Sequence, residues 1–222
     1  TIPDYLYLNN QNGTFTDQLG ESIGHTSHFS MGNDVADINN DGQPEIYVLD
    51  MFPEENYRQK MIMGGDNYDR FQYMLKMGYE PQYSRNTLQL NNGDGSFSEI
   101  GQMLEVHKTD WSWSALLADL NNDGYKDIYV TNGIYQDLMD QDYINYYSND
   151  PKIIGAIRNR EEGAILRLIE KMPSNPIPNY AFENNKDLTF SKKTADWGLA
   201  TPSLSNGAAY GDLDNDGDLD LV

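Results

Sequence analysis

The chain has 222 residues, 38% of them apolar, enough for one sizeable core or two small ones. Thirty-five acidic against fifteen basic side chains give a net charge of -20, which argues against nucleic acid or an anionic membrane face as partner. Sixteen tyrosines, seven phenylalanines and three tryptophans argue against disorder, and the absence of cysteine excludes disulfides and thiolate metal sites. No apolar stretch approaches the roughly 20 residues of a spanning helix. The opening Thr1-Ile2-Pro3-Asp4 lacks the basic start and apolar stretch of an export signal, so any such signal is expected to have been removed or to lie outside this sequence.

The first element is Tyr5-Leu6-Tyr7-Leu8, then the turn residues Asn9-Asn10-Gln11-Asn12-Gly13, then the return Thr14-Phe15-Thr16. Asparagine and glycine supply the positive φ angles of a tight turn, so the stretch reads as a hairpin. It recurs from Thr87 to Phe97 (TLQLNNGDGSF) and from Tyr180 to Phe190 (YAFENNKDLTF). The second element is an acidic loop between two strands. It runs from Asp37 to Ile46 (DINNDGQPEI), and recurs from Asp119 (DLNNDGYKDI) and Asp212 (DLDNDGDLDL). Strands are expected before each loop (29–36, 111–118, 204–211) and after it (45–49, 127–131, 220 onward), the latter rich in β-branched and aromatic residues.

The two elements keep a fixed register. Asn9 to Asp37, Asn91 to Asp119 and Asn184 to Asp212 are each 28 positions apart, whereas the loops themselves advance by 82 and then 93. Variable insertions therefore lie at about 51–85 and 132–179. Both carry helical signals: Asp150-Pro151 reads as an N-cap with proline at the first helical position, and Ala164, Ile165, Leu168, Ile169 and Met172 form one apolar stripe before Pro173. In the first insertion Phe71, Met74 and Leu75 share a face, and Gly78 suits a helix stop. Seven of the nine methionines fall in the insertions, where flexible thioethers fill gaps or serve an adaptable surface.

Four-stranded antiparallel units stacked in sequence read as β-propeller blades, and closure needs about four to eight of them. The expected fold is all-β with helical insertions, 1–222 forming part of one propeller. Residues 1–18 are the outer hairpin of one blade, 28–100 and 110–193 are blades, and 203–222 are the inner hairpin of the next. On this reading the chain is a fragment of something longer.

Each acidic loop places oxygen side chains at positions 1, 3, 5 and 9, glycine at 6 and a backbone carbonyl at 7, a cage suited to Ca²⁺ with its six to eight oxygen ligands. The expected ligands are Asp37, Asn39, Asp41, the Gln43 carbonyl and Glu45; Asp119, Asn121, Asp123, the Tyr125 carbonyl and Asp127; and Asp212, Asp214, Asp216, the Asp218 carbonyl and Asp220. An EF-hand would need a bidentate glutamate at position 12 and a following helix, yet position 12 is Val48 in the first loop and Val130 in the second, both in strand-like sequence. Mg²⁺ suits the loops less well, since it keeps several waters and a strict octahedron. Three Ca²⁺ would bring the formal charge to -14.

On these residues the chain resembles the FG-GAP or VCBS-type calcium-binding propeller repeat, also used by integrin α-subunit heads. Ser112-Trp113-Ser114-Ala115 and Asn206 to Gly211 are similar to the version in large bacterial surface proteins that end in an ASPIC/UnbV domain, and to the cartilage acidic protein. Where the usual spelling has Gly-Ala-Pro after the second strand, this chain has Val48-Leu49-Asp50 and Val130-Thr131-Asn132. The resemblance implies an exported, cell-surface protein used in adhesion, assembly or glycan capture, a scaffold rather than an enzyme. The alternative it leaves open is a propeller similar to polysaccharide lyases, whose base would come from His25, His28 or His107. No nucleophile elbow, Walker loop or zinc-protease motif appears. Because successive strands are antiparallel, the insertions should sit at the end opposite the acidic loops, forming a cap that meets a protein or glycan partner.

Overall fold

The computed structural model describes residues 3–65 and 67–222; Thr1 and Ile2, which open the expected 1–18 hairpin, and Asp66 of the first insertion lie outside the described residues. The fold is mostly β. Strands β1 (Tyr7–Asn9) and β2 (Phe15–Asp17) pair as a hairpin, followed by a single helical turn α1 (Leu19–Ser22) and the short strand β3 (Thr26–Ser27). Strand β4 (Asn33–Ala36) leads into the first acidic loop and β5 (Glu45–Val48) leaves it. In β5 the residues alternate, Glu45 and Tyr47 buried and Ile46 and Val48 half-buried, the period of two that places one face on the core. The first insertion then holds β6 (Met51–Phe52), α2 (Asn56–Ile62), α3 (Tyr68–Lys76) and β7 (Gln82–Tyr83), the last pairing in parallel with β3. Strands β8 (Thr87–Asn91) and β9 (Phe97–Glu99) complete an antiparallel sheet in the order β4-β5-β8-β9.

The second sheet repeats this plan with β10 (Asp110–Ala118) and β11 (Asp127–Asn132). A π-helical turn at Tyr143–Tyr147, α4 (Pro151–Arg158) and α5 (Ala164–Ile169) fill the second insertion, before β12 (Tyr180–Asn184) and β13 (Phe190–Lys192). Its order is β13-β12-β11-β10-β6. The fifth strand departs from the sequence reading. Met51 and Phe52, assigned there to a helical insertion, pair with Trp111 and Asp110 and so stitch the first unit to the second sheet. A last hairpin, β14 (Tyr210–Gly211) and β15 (Asp220–Leu221), flanks the third loop. Among the described residues the sheets do not close into a ring.

One apolar core serves both large sheets, with Ile38, Tyr47, Leu49 and Leu88 of the first unit joined to Leu117, Ile128, Val130 and Phe182 of the second. The inner strands meet closely. The Leu117 amide donates to Asp34 Oδ2 at 2.7 Å, and a Cβ built on Gly32 would stand 2.1 Å from the Trp113 carbonyl oxygen. Backbone cannot retreat as a flexible side chain can, so Gly32→Ala is expected to destabilise by about 1–3 kcal/mol through overpacking. A fall in the denaturant midpoint at unchanged slope is the readout, and a change within about 0.5 kcal/mol would show that the sheets are free to separate here.

Sheet order explains the two spacings. The 28-residue register spans the connection from the outer hairpin of one unit to the loop of the next, a distance set by how neighbouring sheets pack. The insertions instead interrupt β5 to β8 and β11 to β12, where the chain leaves and re-enters the same sheet and extra length has room. Antiparallel pairing puts the β4–β5 loop and the β5–β8 insertion at opposite ends of their sheet, and likewise in the second unit.

Helix ends follow local chemistry: Asp150 Oδ1 accepts from the Lys152 amide at 2.7 Å with Pro151 in the first turn, and Gly78, at φ 86°, follows α3. The apolar stripe expected at 164–172 is corrected by the structure. Helix α5 has six residues, under two turns, and packs chiefly against α4; Ala164 is buried but Ile165 is 61% exposed.

Candidate metal centres

The three acidic loops share one wiring. In each, the position 1 aspartate accepts the amides of positions 5 and 6: Asp37 from Asp41 at 3.1 Å and Gly42 at 2.8 Å, Asp119 from Asp123 at 3.0 Å and Gly124 at 2.8 Å, Asp212 from Asp216 at 3.2 Å and Gly217 at 3.1 Å. The position 5 carboxylate accepts the amide of position 7, at 2.7 Å for Asp41, 2.9 Å for Asp123 and 2.9 Å for Asp216. Position 4 is left-handed in all three (Asn40 φ 60°, Asn122 φ 59°, Asn215 φ 64°), as is the following glycine pair member at position 6 (φ 84°, 89° and 95°). Asparagine and glycine tolerate that region, and the turn they make folds the side-chain oxygens inward. In the third loop the ligand atoms of Asp212, Asp214 and Asp216 lie within 4.8 Å of one another, which among the described residues is the one such group of three or more carboxylate or imidazole donors. The first two loops carry asparagine at position 3, whose amide instead donates to position 5, Asn39 to Asp41 at 2.9 Å and Asn121 to Asp123 at 3.1 Å.

Position 9 is where the loops diverge. Glu45 and Asp127 are fully buried, while Asp220 is exposed. Glu45 Oε2 accepts the Ile38 amide at 2.8 Å, but Oε1 is buried with no hydrogen-bond partner. Desolvation raises the Glu45 carboxyl above its ordinary range, opposed by the Ile38 and Asn91 backbone amides and reinforced by Asp41 and Asp37. Asp127 accepts from Leu120 at 3.0 Å and Asn184 at 2.9 Å, yet burial, with Asp123 and Asp119 adding, pushes it up to about 6. Both carboxylates are short of positive charge. An all-oxygen donor set with a buried, unpartnered carboxylate oxygen fits a hard cation.

The sequence reading missed the residues that seal these loops. The first asparagine of each hairpin turn caps its own turn, Asn91 Oδ1 accepting from Gly93 at 3.0 Å and Asn184 Oδ1 from Lys186 at 2.9 Å. Its side-chain amide also reaches position 8 of the loop beside it: Asn91 to the Pro44 carbonyl at 3.2 Å, Asn184 to that of Lys126 at 3.0 Å. The Asn-Asn pair common to all three hairpins was the available signal.

At the other end of the sheets the insertions touch through Arg58 of α2. Its guanidinium contacts Asp110 at the start of β10 and, through Nη1 at 2.9 Å, Asp137 of the second insertion. The histidines do not converge on a metal-ligand set. His25 Nε2 lies 3.2 Å from Arg85 Nη2 and 3.4 Å from Glu99, and His28 Nδ1 faces Ser84 at 3.2 Å. His107 is held below its ordinary range by burial and by the nearby Lys108 and Arg85.

The FG-GAP-like repeat family matches residues 3–48 and 77–130, which supports the FG-GAP repeat family for this chain. Each matched segment runs from a hairpin through the next acidic loop into the strand that leaves it, and the α2 and α3 region between them is unmatched. No curated protein matches the chain.

Proposed function

We propose, with the FG-GAP-like repeat as premise, that the chain is a calcium-stabilised β-propeller scaffold of an exported bacterial surface protein. The observation that carries this reading is the identical wiring of three acidic loops, one of which buries a carboxylate oxygen without a partner. Extracellular calcium modules bind at about 10⁻⁴ to 10⁻³ M, an affinity that leaves such loops empty at resting cytosolic calcium and fills them outside the cell. No helix among the described residues is long and apolar enough to cross a membrane. The insertions present Tyr57, Tyr68, Tyr73, Tyr135 and Tyr146 to solvent, each more than 60% exposed, and this end of the sheets is the proposed contact for a protein or glycan partner.

Isothermal titration of the chelator-treated chain with Ca²⁺ is expected to give three sites in the 0.1–1 mM range. Asp37→Ala, Asp119→Ala and Asp212→Ala should each remove one. A chain that takes up no calcium at several millimolar would end the proposal.

A further inference from the structure

The first two loops are joined by a continuous run of hydrogen bonds that starts at one position 9 carboxylate and ends at the other. Glu45 Oε2 accepts the Ile38 amide at 2.8 Å, and the Ile38 carbonyl accepts from Asn184 Nδ2 at 2.8 Å. The same Asn184 side chain donates to the Lys126 carbonyl, and its backbone amide donates to Asp127 Oδ1 at 2.9 Å. Asn184 is 4% exposed, and both hydrogens of its side-chain amide are engaged, one in each loop. Ile38 lies between the expected ligands Asp37 and Asn39, and Lys126 between Tyr125 and Asp127. A second link runs along the surface, where Asn40 Nδ2 donates to the Gly124 carbonyl at 3.0 Å. Asn122, in the same place of the second loop, donates instead to the Asp218 carboxylate of the third.

We propose that calcium binding to the first two loops is positively coupled, with Asn184 as the coupling residue and Asn40 as the lesser one. The inference rests on the calcium reading above, to which the buried, unpartnered Glu45 Oε1 independently points. An ion drawing Glu45 and Asp37 inward fixes the peptide at Ile38, and through Asn184 that fixes the backbone on either side of Asp127. Ordering of the second loop then precedes its own ion, which binds at lower entropic cost. By contrast Asn91, in the matching place of the first sheet, bonds to one carbonyl among the described residues, that of Pro44.

Amide NMR during a titration with Ca²⁺ resolves the sites, because Gly42 and Gly124 each donate to the first ligand of their own loop. Asp37→Ala is expected to raise the calcium concentration that half-saturates the Gly124 signal, or Asp119→Ala that of Gly42, by about fivefold at whichever loop fills second in the unmodified chain. In an Asn184→Ala background the shift should fall below about twofold, whereas Asn91→Ala should leave it in place. Unmoved midpoints at both Gly124 in Asp37→Ala and Gly42 in Asp119→Ala overturn the coupling while leaving calcium binding intact, and they decide the matter even if Asn184→Ala fails to fold. If neither glycine responds to calcium in the unmodified chain, the calcium reading itself fails.

Discussion

Treatment with excess chelator is expected to lower the melting temperature of the chain by roughly 10 °C. A site with a dissociation constant near 0.1 mM in about 1 mM free calcium contributes roughly 1.4 kcal/mol by mass action, and three such sites about 4 kcal/mol. That is a large share of the 5–15 kcal/mol typical of a domain, and at this chain length each kcal/mol moves the midpoint by about 2–4 °C. The physical source is visible at position 9. Burial raises the Glu45 and Asp127 carboxyls, and the neighbouring acids of their own loops add to the strain, so the metal-free fold holds negative charge that water no longer screens. A divalent ion relieves this in the first two loops, and in the third it offsets the crowding of Asp212, Asp214 and Asp216. Differential scanning calorimetry in calcium, in magnesium and in chelator is the measurement: calcium should raise the midpoint well above the other two. Coincident curves in calcium and chelator would remove the ion from the account of stability.

Spacing made the loops and hairpins readable because both are local. The Asn-Asn turns and the Asp-x-Asn/Asp-x-Asp-Gly runs need residues only a few positions apart to close their hydrogen bonds, so a single strand of sequence carries the whole motif. The N-cap at Asp150-Pro151 was legible for the same reason. What could not be read are partnerships made across the fold. Asn184 meets Ile38 from 146 positions away, and Met51-Phe52 pair with Trp111 and Asp110 although nothing in two apolar residues says they form a strand. The α5 stripe failed in the opposite way. Ala164, Ile165, Leu168 and Ile169 have helical spacing, but a pattern states which residues can share a face, not whether anything covers it; Ile165 remains 61% exposed. The position 9 acids show both sides at once. Their place in the motif is local, whereas their burial depends on β8 and β12, which arrive only after insertions of different length.

Arg58, which among the described residues joins the two insertions, should be among the most costly single residues to remove. Arg58 is 14% exposed and faces Asp110, 5% exposed, and Asp137, fully buried. Burial disfavours its charge, and the hydrogen bonds and charges of the two aspartates more than restore it, holding the guanidinium above its ordinary range. Asp137 has one further donor, Asn175 Nδ2 at 2.6 Å, and Asp110 also accepts the Trp111 amide at 2.8 Å. Arg58→Ala leaves two carboxylates in a dry site with a net charge of about -2 and is expected to cost about 3–5 kcal/mol, the range for breaking a buried pair from one side. Asp110 starts β10 and pairs with Phe52, so the loss should loosen β6 from the second sheet as well as part the insertions. Arg58→Lys should recover only part of the loss, since a single ammonium cannot reproduce the planar fork that engages both acids. Adding Asp110→Asn and Asp137→Asn to Arg58→Met should recover more, because the stranded charge is then gone. Denaturant midpoints give the energies, and hydrogen exchange at Phe52 and Trp111 gives the location. A cost of about 1 kcal/mol or less for Arg58→Ala, the size of an exposed ion pair, would mean that water reaches this cluster and that the insertions are held together by something else.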